Sequence, residues 1–297
     1  MATIRERDWE ILLRRLHEGK CTPFFGAGAS HGTLPRAPEL ARQLATEYQY
    51  PLEDPEDLIR VTQFLAVSYR EGMFPKDEVA KRLSQLGYPD FSRDGEPHKV
   101  FAEFPLPVYI TTNYDDFLME ALRRKGKAPR RETCAWNDTV RRKHPSIFAQ
   151  GAGFEPQPKT PVVFHLHGCL DLKESMVLTE EDYFDFLLGL SEDFHAVVPA
   201  AIQEAIAEAS LIFIGYGLHD WPFRVIHRGL MKKVVQGNRR VSVTVQVLPG
   251  GGSEAGQDYM ERYFETMNVA VYWGTAHQFA EELYGRWRAY TDGQPDR

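Results

Sequence analysis

Six short apolar runs divide this chain of 297 residues, and they constrain its fold more than any other feature. Most of the runs are rich in valine, isoleucine and phenylalanine, and segments with helical periodicity separate them. The runs cover residues 22–25, 108–111, 162–166, 211–214, 241–248 and 269–273. Strands that alternate with helices predict an α/β fold with a mainly parallel sheet. We therefore expect a doubly wound, Rossmann-like sheet of six strands.

The segment between the first two runs is far longer than one crossover helix requires. Amphipathic patterns cover residues 40–48, 57–69 and 77–86, and Pro51, Pro55 and Pro75 interrupt them. No linker divides the chain, so we expect a single domain over residues 1–297 with a helical insertion at about 33–105. Other helices are predicted over residues 9–16, after Asp115, Thr179, Asp193, Asp220 and Ser253, and over about 276–290.

Composition excludes several classes of protein. No apolar run approaches the roughly 18 residues of a membrane helix, and the charged N-terminus lacks a signal core. The three cysteines, Cys21, Cys134 and Cys169, are scattered, which indicates a reduced, cytoplasmic protein. A net charge of −7 argues against a surface that coats nucleic acid. Nine basic residues nevertheless fall within residues 123–143, as a solvated, mobile excursion or as a docking surface for a partner or nucleic acid.

A glycine-rich turn follows the first predicted strand. Gly26 and Gly28 are separated by Ala27, and Ser30 follows. Two closely spaced glycines let the backbone turn sharply and approach a pyrophosphate, although a plain tight turn would use them equally well. His31 occupies the place of the third glycine of a dinucleotide fingerprint, and no lysine of a P-loop follows.

Two further motifs follow the second and third strands. The second strand ends in Thr112, Asn113 and Asp115, which could serve a ligand or simply cap the next helix. The third contains His165 and His167, which strand alternation would place on one face. No third metal ligand has a recognisable spacing, so His167 is better explained as a general base.

A second glycine-rich turn follows the fourth strand, with Gly215, Tyr216 and Gly217 ahead of Asp220. Ligands of open parallel sheets bind beyond the carboxyl ends of the strands, near the topological switch. Two such turns flanking one crevice suit an extended dinucleotide. Each motif alone has a simpler structural explanation, but four of them in order at four strand ends indicate a functional site.

Together these motifs resemble those of the sirtuin superfamily. That family has a Gly-Ala-Gly-x-Ser loop, a Thr-x-Asn-x-Asp segment, a His-Gly pair and a later Gly-x-Gly/Ser turn. The corresponding residues here are 26–30, 111–115, 167–168 and 215–217. The chain departs from the protein deacylases of the family, since it lacks their two zinc-binding Cys-x-x-Cys pairs and their Gly-Ile-Pro-Asp-Phe-Arg stretch. It is more similar to the bacterial branch that hydrolyses NAD in antiphage defence.

The resemblance implies an NAD+ hydrolase that releases nicotinamide and ADP-ribose, as an effector of abortive infection. The expected catalytic residues are Asn113, which would hold the ribose or water, His167 as a base, and Asp115 at the nicotinamide carboxamide. NAD+ is the expected substrate, and no metal is expected. The expected cofactor-binding residues are Gly26, Ala27, Gly28, Ser30, Thr112, Gly215, Tyr216, Gly217 and Asp220.

Three other functions stay open at this stage. A protein deacylase would use the same residues with an acyl-lysine groove, and a non-catalytic NAD or ADP-ribose sensor would need only the glycine turns. A dehydrogenase would need the third glycine and an acidic residue at a second strand end, whereas Glu47 lies in a helical stretch.

The resemblance also implies partners. Because the chain shows no sensor domain, we expect gating by self-association and by a separately encoded sensor. A HerA-type ring ATPase is the favoured sensor, and an Argonaute-like protein is the alternative. The expected contact surfaces are residues 123–143 and the helix faces between 39 and 86. No sequence-specific nucleic-acid binding and no membrane contact are expected.

Overall fold

A computed structural model describes residues 4–149, 153–217, 242–246 and 254–293. Its strands are β1 (Cys21–Phe25), β2 (Val108–Thr111), β3 (Arg130–Thr133), β4 (Val162–His165), β5 (Ser210–Ile214), β6 (Ser242–Gln246) and β7 (Val269–Trp273). They form one sheet in the order β3-β4-β2-β1-β5-β6-β7, and every adjacent pair is parallel. The predicted doubly wound parallel sheet is therefore confirmed, with seven strands instead of six.

The extra strand is β3, and it corrects the interpretation of residues 123–143 as a mobile excursion. This segment contains both β3 and a helix. Within the described ranges the strand pairs only with β4, and only Glu132 among its four residues is buried. Charged residues are common on edge strands because they discourage pairing with other chains. Such a strand has no apolar run, so the hydrophobic pattern did not reveal it.

The helices are α1 (Glu6–His17), α2 (Ala37–Glu47), α3 (Leu58–Tyr69), α4 (Phe74–Ser84), α5 (Pro97–Glu103), α6 (Phe117–Arg124), α7 (Asp138–Lys143), α8 (Glu180–Glu192), α9 (Phe194–Val197), α10 (Ala200–Glu208), α11 (Glu254–Glu265) and α12 (Ala276–Asp292). Helix α4 begins three residues before the predicted start, because a proline is tolerated in a first turn. The predicted helix after Asp220 and the ends of the predicted strand at 241–248 lie outside the described residues. None of the described helices is long and apolar enough to cross a bilayer.

Both faces of the sheet are covered. Alternate strand residues point to opposite sides, so that Phe24 and Phe25 belong to different hydrophobic clusters. One cluster includes Leu12 of α1 and Phe279 of α12, and the other includes Phe186 of α8. This double burial explains why the central strands are apolar throughout their length.

Helices α2, α3 and α4 form a third layer with its own core. Leu44, Leu65 and Val79 are buried there together with Met176 and Leu178, which lie between β4 and α8. The layer therefore packs on the chain segment that leaves the carboxyl end of β4. Strand β1 lies between β2 and β5, so the winding direction of the sheet changes at β1 and β5. A ligand crevice is expected at this switch.

Candidate functional site

The glycine turns after β1 and β5 interlock at the topological switch. The amide of Gly26 donates to the Ile214 carbonyl (2.8 Å), and the amide of Gly28 donates to the Gly215 carbonyl (2.9 Å). The amide of Ala29 donates to the Gly26 carbonyl (2.9 Å). These three amides are therefore used inside the protein, whereas Ala27 is exposed at the tip of the turn.

Close packing accounts for the glycines of both turns. A Cβ atom at Gly26 would lie 2.8 Å from the Tyr216 ring, and one at Gly28 would lie 2.9 Å from the Gly215 Cα. Gly215 has a φ of +79°, and a Cβ atom there would collide with the backbone of Ala29. The two turns thus approach each other more closely than any side chain would permit.

Asn113 links the β2 end to the β1 turn. Its side-chain Nδ2 donates to the Gly26 carbonyl (3.2 Å) and to Ser30 Oγ (3.4 Å). Its own amide donates to Thr111 Oγ1 (3.0 Å). The Asn113 side chain therefore does not cap a helix, which was the simpler explanation of this motif. It is buried at the topological switch, with 9% of its surface exposed.

Asp115 completes the cluster. Ser30 Oγ donates to its Oδ2 (3.4 Å), and the amide of Phe117, the first residue of α6, donates to its Oδ1 (3.0 Å). Burial raises the pKa of this carboxyl, and the nearby His98 charge, the Phe117 amide and the Ser30 hydroxyl only partly offset the shift. Asp115 therefore both supports the start of a helix and presents a carboxyl group to Ser30.

The Phe25 carbonyl joins all three strand ends. It accepts from the Thr112 amide (2.9 Å) and from the Tyr216 hydroxyl (3.0 Å). The Tyr216 hydroxyl also lies 3.1 Å from Thr112 Oγ1.

The structure thus brings together eight of the predicted residues: Gly26, Gly28, Ser30, Thr112, Asn113, Asp115, Gly215 and Tyr216. Gly217 is exposed beyond them, and Asp220 lies outside the described residues.

His167 lies in the turn after β4, next to the β2 end. The Leu166 amide donates to the Thr111 carbonyl (2.8 Å), and the Leu170 amide donates to the Tyr114 carbonyl (2.9 Å). The imidazole packs edge-on against Tyr183 and Phe186 of α8, with centroid distances of 5.5 and 5.1 Å. Its Nε2 is buried without a partner among the described residues. Burial lowers the pKa of His167 to about 3, so the ring is neutral at neutral pH.

The expectation that His165 and His167 share a strand face is wrong. Strand β4 ends at His165, and the chain turns at Leu166 and His167. Alternation therefore does not extend to His167, whose ring contacts Phe186 of the cluster that also holds Phe164. His165 is fully buried, and burial, followed by the Arg131 charge, lowers its pKa to about 4. Among the described residues, neither of its ring nitrogens has a hydrogen-bond partner.

A buried Glu96–His98 pair, which the sequence motifs did not reveal, lies behind the cluster. Glu96 Oε1 lies 2.6 Å from His98 Nδ1, and the His98 ring stacks on Phe25 with a centroid distance of 5.1 Å. Burial acts to raise the pKa of Glu96, but the His98 contacts and two backbone amides lower it overall. A glutamate directly before a proline was the available signal, since this is a common start of a helix.

Metal ligands are not clustered in the described part of the chain. No group of three or more His, Cys, Asp or Glu side chains there could hold an ion. Cys21, Cys134 and Cys169 are each buried as free thiols, and burial raises the pKa of all three.

Known proteins share parts of this chain. A protein-family profile described as "SIR2-like domain" matches residues 107–272, which is more than half of the chain. The match includes Asn113, Asp115, His167 and Gly215, whereas the turn at residues 26–30 precedes it. A solved structure described as "Structural Basis for the Mechanism and Regulation of Sir2 Enzymes" aligns over 96% of this chain and 99% of its own, with 12% identity and a TM-score of 0.40. That score is too low to add to the fold assignment, which rests on the sheet itself.

Curated relatives are named "NAD(+) hydrolase ThsA". The protein of Cytobacillus dafuensis is 27% identical over 74% of this chain and 40% of its own length. The proteins of Acinetobacter baumannii (strain 532279) and Enterococcus faecium are 25% and 24% identical over 70% and 72% of this chain, and 39% and 41% of their own. The chain thus spans about two fifths of the length of these relatives.

Proposed function

The chain belongs to the SIR2-like domain family, and we propose that it is an NAD+ hydrolase that releases nicotinamide and ADP-ribose. The observation that carries the proposal is the buried cluster of Asn113, Ser30 and Asp115 around the Gly26 carbonyl, at the topological switch. The His167 Nε2 atom, which is buried and has no partner among the described residues, gives a second reason, because such a nitrogen suits a ligand hydroxyl or water. The names of the relatives agree with this activity.

The proposed reaction is displacement of nicotinamide by water at the ribose C1′ atom. The C1′–N bond breaks with its electron pair on the nicotinamide, which leaves as a neutral molecule, and a C1′–O bond to water forms. Such a transition state resembles an oxocarbenium ion. Asn113 would hold the ribose or the water, and His167 would accept the water proton and pass it to solvent. The lowered pKa of His167 leaves the ring neutral and able to accept a proton, but it also makes the imidazole a weaker base than an ordinary histidine.

Asp115 would contact the nicotinamide carboxamide. Its raised pKa increases the share of the protonated carboxyl, which can both donate and accept a hydrogen bond. Ala27 and Ser30 would lie beside the pyrophosphate, while Gly26 and Gly28 mainly permit the close approach of the two turns. The turn at residues 215–217 and Asp220 would face the adenosine.

The test is nicotinamide release by variants of Asn113 and His167. For Asn113→Ala and His167→Ala we expect a loss of at least about 100-fold in kcat, because each removes a group at the reacting bond. Thermal unfolding should show that both variants are folded. His195→Ala is the matched control, since His195 is an exposed histidine on α9. Unaltered release by His167→Ala would show that the assigned mechanism is wrong.

The same assay separates the rival functions. A hydrolase consumes NAD+ without any peptide, whereas a deacylase consumes it only when an acetylated peptide is present. A sensor would bind NAD+ or ADP-ribose without releasing nicotinamide. Activity should also persist after chelation, because the proposed chemistry uses no metal. Stoichiometric zinc that is lost together with activity on chelation would contradict this.

The proposed biological role is that of an antiphage effector acting by abortive infection, and it rests on the resemblance of the motifs. For control we propose self-association together with a HerA-type ring ATPase, with an Argonaute-like protein as the alternative sensor. Much of the basic segment 123–143 is already neutralised by ion pairs such as Arg124–Glu120, Lys125–Glu103 and Lys143–Glu174. The helical layer is therefore the better contact surface, since Val67 and Tyr69 of α3 are 64% and 51% exposed. Light scattering on the purified protein, with and without the candidate ATPase, tests both contacts.

A further inference from the structure

A buried ion pair joins the helical layer to α8. Lys76 Nζ of α4 lies 2.8 Å from Asp182 Oδ1, and the two side chains are only 7% and 13% exposed. We propose that Lys76 and Asp182 are positioning residues for His167, because the pair fixes the start of α8 and thereby the two rings that hold the imidazole. This inference rests on the proposed function, in which His167 acts on the substrate.

The Asp182 carboxylate accepts three hydrogen bonds at the start of α8. Its Oδ2 accepts from the Leu178 amide (3.1 Å) and the Thr179 amide (3.0 Å), and its Oδ1 accepts from the Lys76 ammonium. Its own amide donates to Thr179 Oγ1 (3.2 Å), which completes a capping box. The carboxylate thus sets both the first turn of α8 and the distance of that turn from α4.

The first turns of α8 are the elements that hold His167. Tyr183 and Phe186 follow Asp182 by one and four residues, and both contact the imidazole edge-on. Just before α8, the Val177 amide donates to the His167 carbonyl (3.0 Å). Since Nε2 has no hydrogen-bond partner among the described residues, ring packing orients this side of the imidazole. A shift of α8 would therefore be transmitted directly to the ring.

Lys76 also contacts Trp136, which supports the other side of the His167 turn through Ser175. Its ammonium lies 5.5 Å from the centre of the Trp136 ring. Trp136 Nε1 donates to the Ser175 carbonyl (2.7 Å), and this carbonyl packs so closely on Gly168 that a Cβ atom there would collide with it. One buried cation thus touches both α8 and the support beneath Gly168, the residue that follows His167.

The neighbouring residue of α4 provides a matched control. Asp77 pairs with Lys173 at 2.6 Å, and this pair also joins α4 to the segment between β4 and α8. Its side chains are 51% and 43% exposed, so solvent screens the interaction. Removal of either pair deletes one ion pair between α4 and the part of the chain that follows β4, but the buried pair, unlike the exposed one, contacts Trp136 and the first turn of α8.

The experiment compares Lys76→Met, the double variant Lys76→Met/Asp182→Asn and the control Lys173→Met. The double variant avoids a buried charge without a counterion, so it reports on positioning even where a single variant folds poorly. The first readout is the imidazole signal of His167 in NMR spectra, identified among the ten histidines by its loss in His167→Gln. The second is the steady-state rate of nicotinamide release.

We expect the His167 signal to move in both Lys76 variants and to stay in place in Lys173→Met. The kcat of the Lys76 variants should fall about tenfold or more, with KM for NAD+ within about threefold, as a misplaced catalytic group predicts. An unchanged His167 signal in a folded Lys76→Met protein would overturn the proposal. So would a double variant with normal rate and signal, or an equal loss in Lys173→Met. If the unaltered protein releases no nicotinamide, the proposed function fails, while the NMR comparison still decides the positioning role.

Discussion

The candidate site has two halves that are built by different kinds of contact. In the first half, the turns after β1, β2 and β5 are joined through backbone carbonyls and amides, with Gly26, Gly28 and Gly215 packed against one another. In the second half, His167 is held by two aromatic rings of α8, and the first turn of this helix carries the buried Lys76–Asp182 ion pair.

The first half therefore fixes the backbone around the proposed ligand site, whereas the second half sets the surroundings of His167, the proposed base. Backbone contacts between glycine turns leave no room for adjustment, so a change there should cost stability. The rings that contact His167 belong to α8. Lys76 of α4 contacts the first turn of α8, and Trp136 contacts the Ser175 carbonyl beside Gly168; all of these elements are distant in sequence. Changes there should alter the environment of the imidazole while the sheet persists.

The largest effect is expected for Gly215→Ala in the first half. The new Cβ atom would collide with the Ala29 backbone, and the φ of +79° disfavours any side chain. Overpacking of this kind typically costs up to about 3 kcal/mol, and the left-handed backbone adds about 1 kcal/mol or more. Urea unfolding should show a loss of about 3–4 kcal/mol or no folded protein.

Gly32→Ala isolates the backbone contribution. Gly32 also has a positive φ, of +92°, but nothing lies within 4 Å of a Cβ atom placed there. Its substitution should therefore cost only about 1–2 kcal/mol. Equal losses for Gly32→Ala and Gly215→Ala would contradict the packing of the two turns.

The first half was also the more predictable from sequence. Each of its motifs lies within a few consecutive residues at the end of an apolar strand, and parallel strands bring their carboxyl ends to one edge. Six of the seven described strands were predicted because each contains an apolar run. The edge strand β3, with Arg130 and Arg131 at its start, was missed because an edge strand need not be apolar.

The second half could not be predicted because its contacts join residues that are far apart in sequence. Lys76 reaches Asp182 across 106 positions. Glu96 and His98, which lie behind the first half, were missed for the same reason, because they pack on a strand that is distant in sequence. His165 and His167 were wrongly assigned to one face because the alternation of strand residues was extended beyond His165, where β4 ends. Sequence periodicity describes an element and does not show where it ends.

An intermediate effect is expected from pH, and it tests the second half. The folded-state pKa of His167 is lowered to about 3 and that of His165 to about 4, both by burial. The unfolded chain then binds more protons below its ordinary histidine pKa of about 6.5, so stability falls as the pH drops through that value. From pH 7 to 5 each histidine should contribute a loss of about 2 kcal/mol.

The variant His165→Gln should remove one of these two contributions, and with it about half of the part of the slope of unfolding free energy against pH that the two histidines cause. An unchanged slope would show that His165 is hydrated in the folded protein.

The smallest effect is expected for Tyr216→Phe, which tests whether the first half depends on single side-chain hydrogen bonds. The Tyr216 hydroxyl donates to the Phe25 carbonyl (3.0 Å) and lies 3.1 Å from Thr112 Oγ1. Without this hydroxyl, the Phe25 carbonyl still accepts a hydrogen bond from the Thr112 amide (2.9 Å). The ring also keeps its place against Gly26, so we expect a loss of about 1 kcal/mol or less in urea unfolding. A loss as large as that of Gly215→Ala would show that the hydroxyl, and not the backbone, holds the three strand ends together.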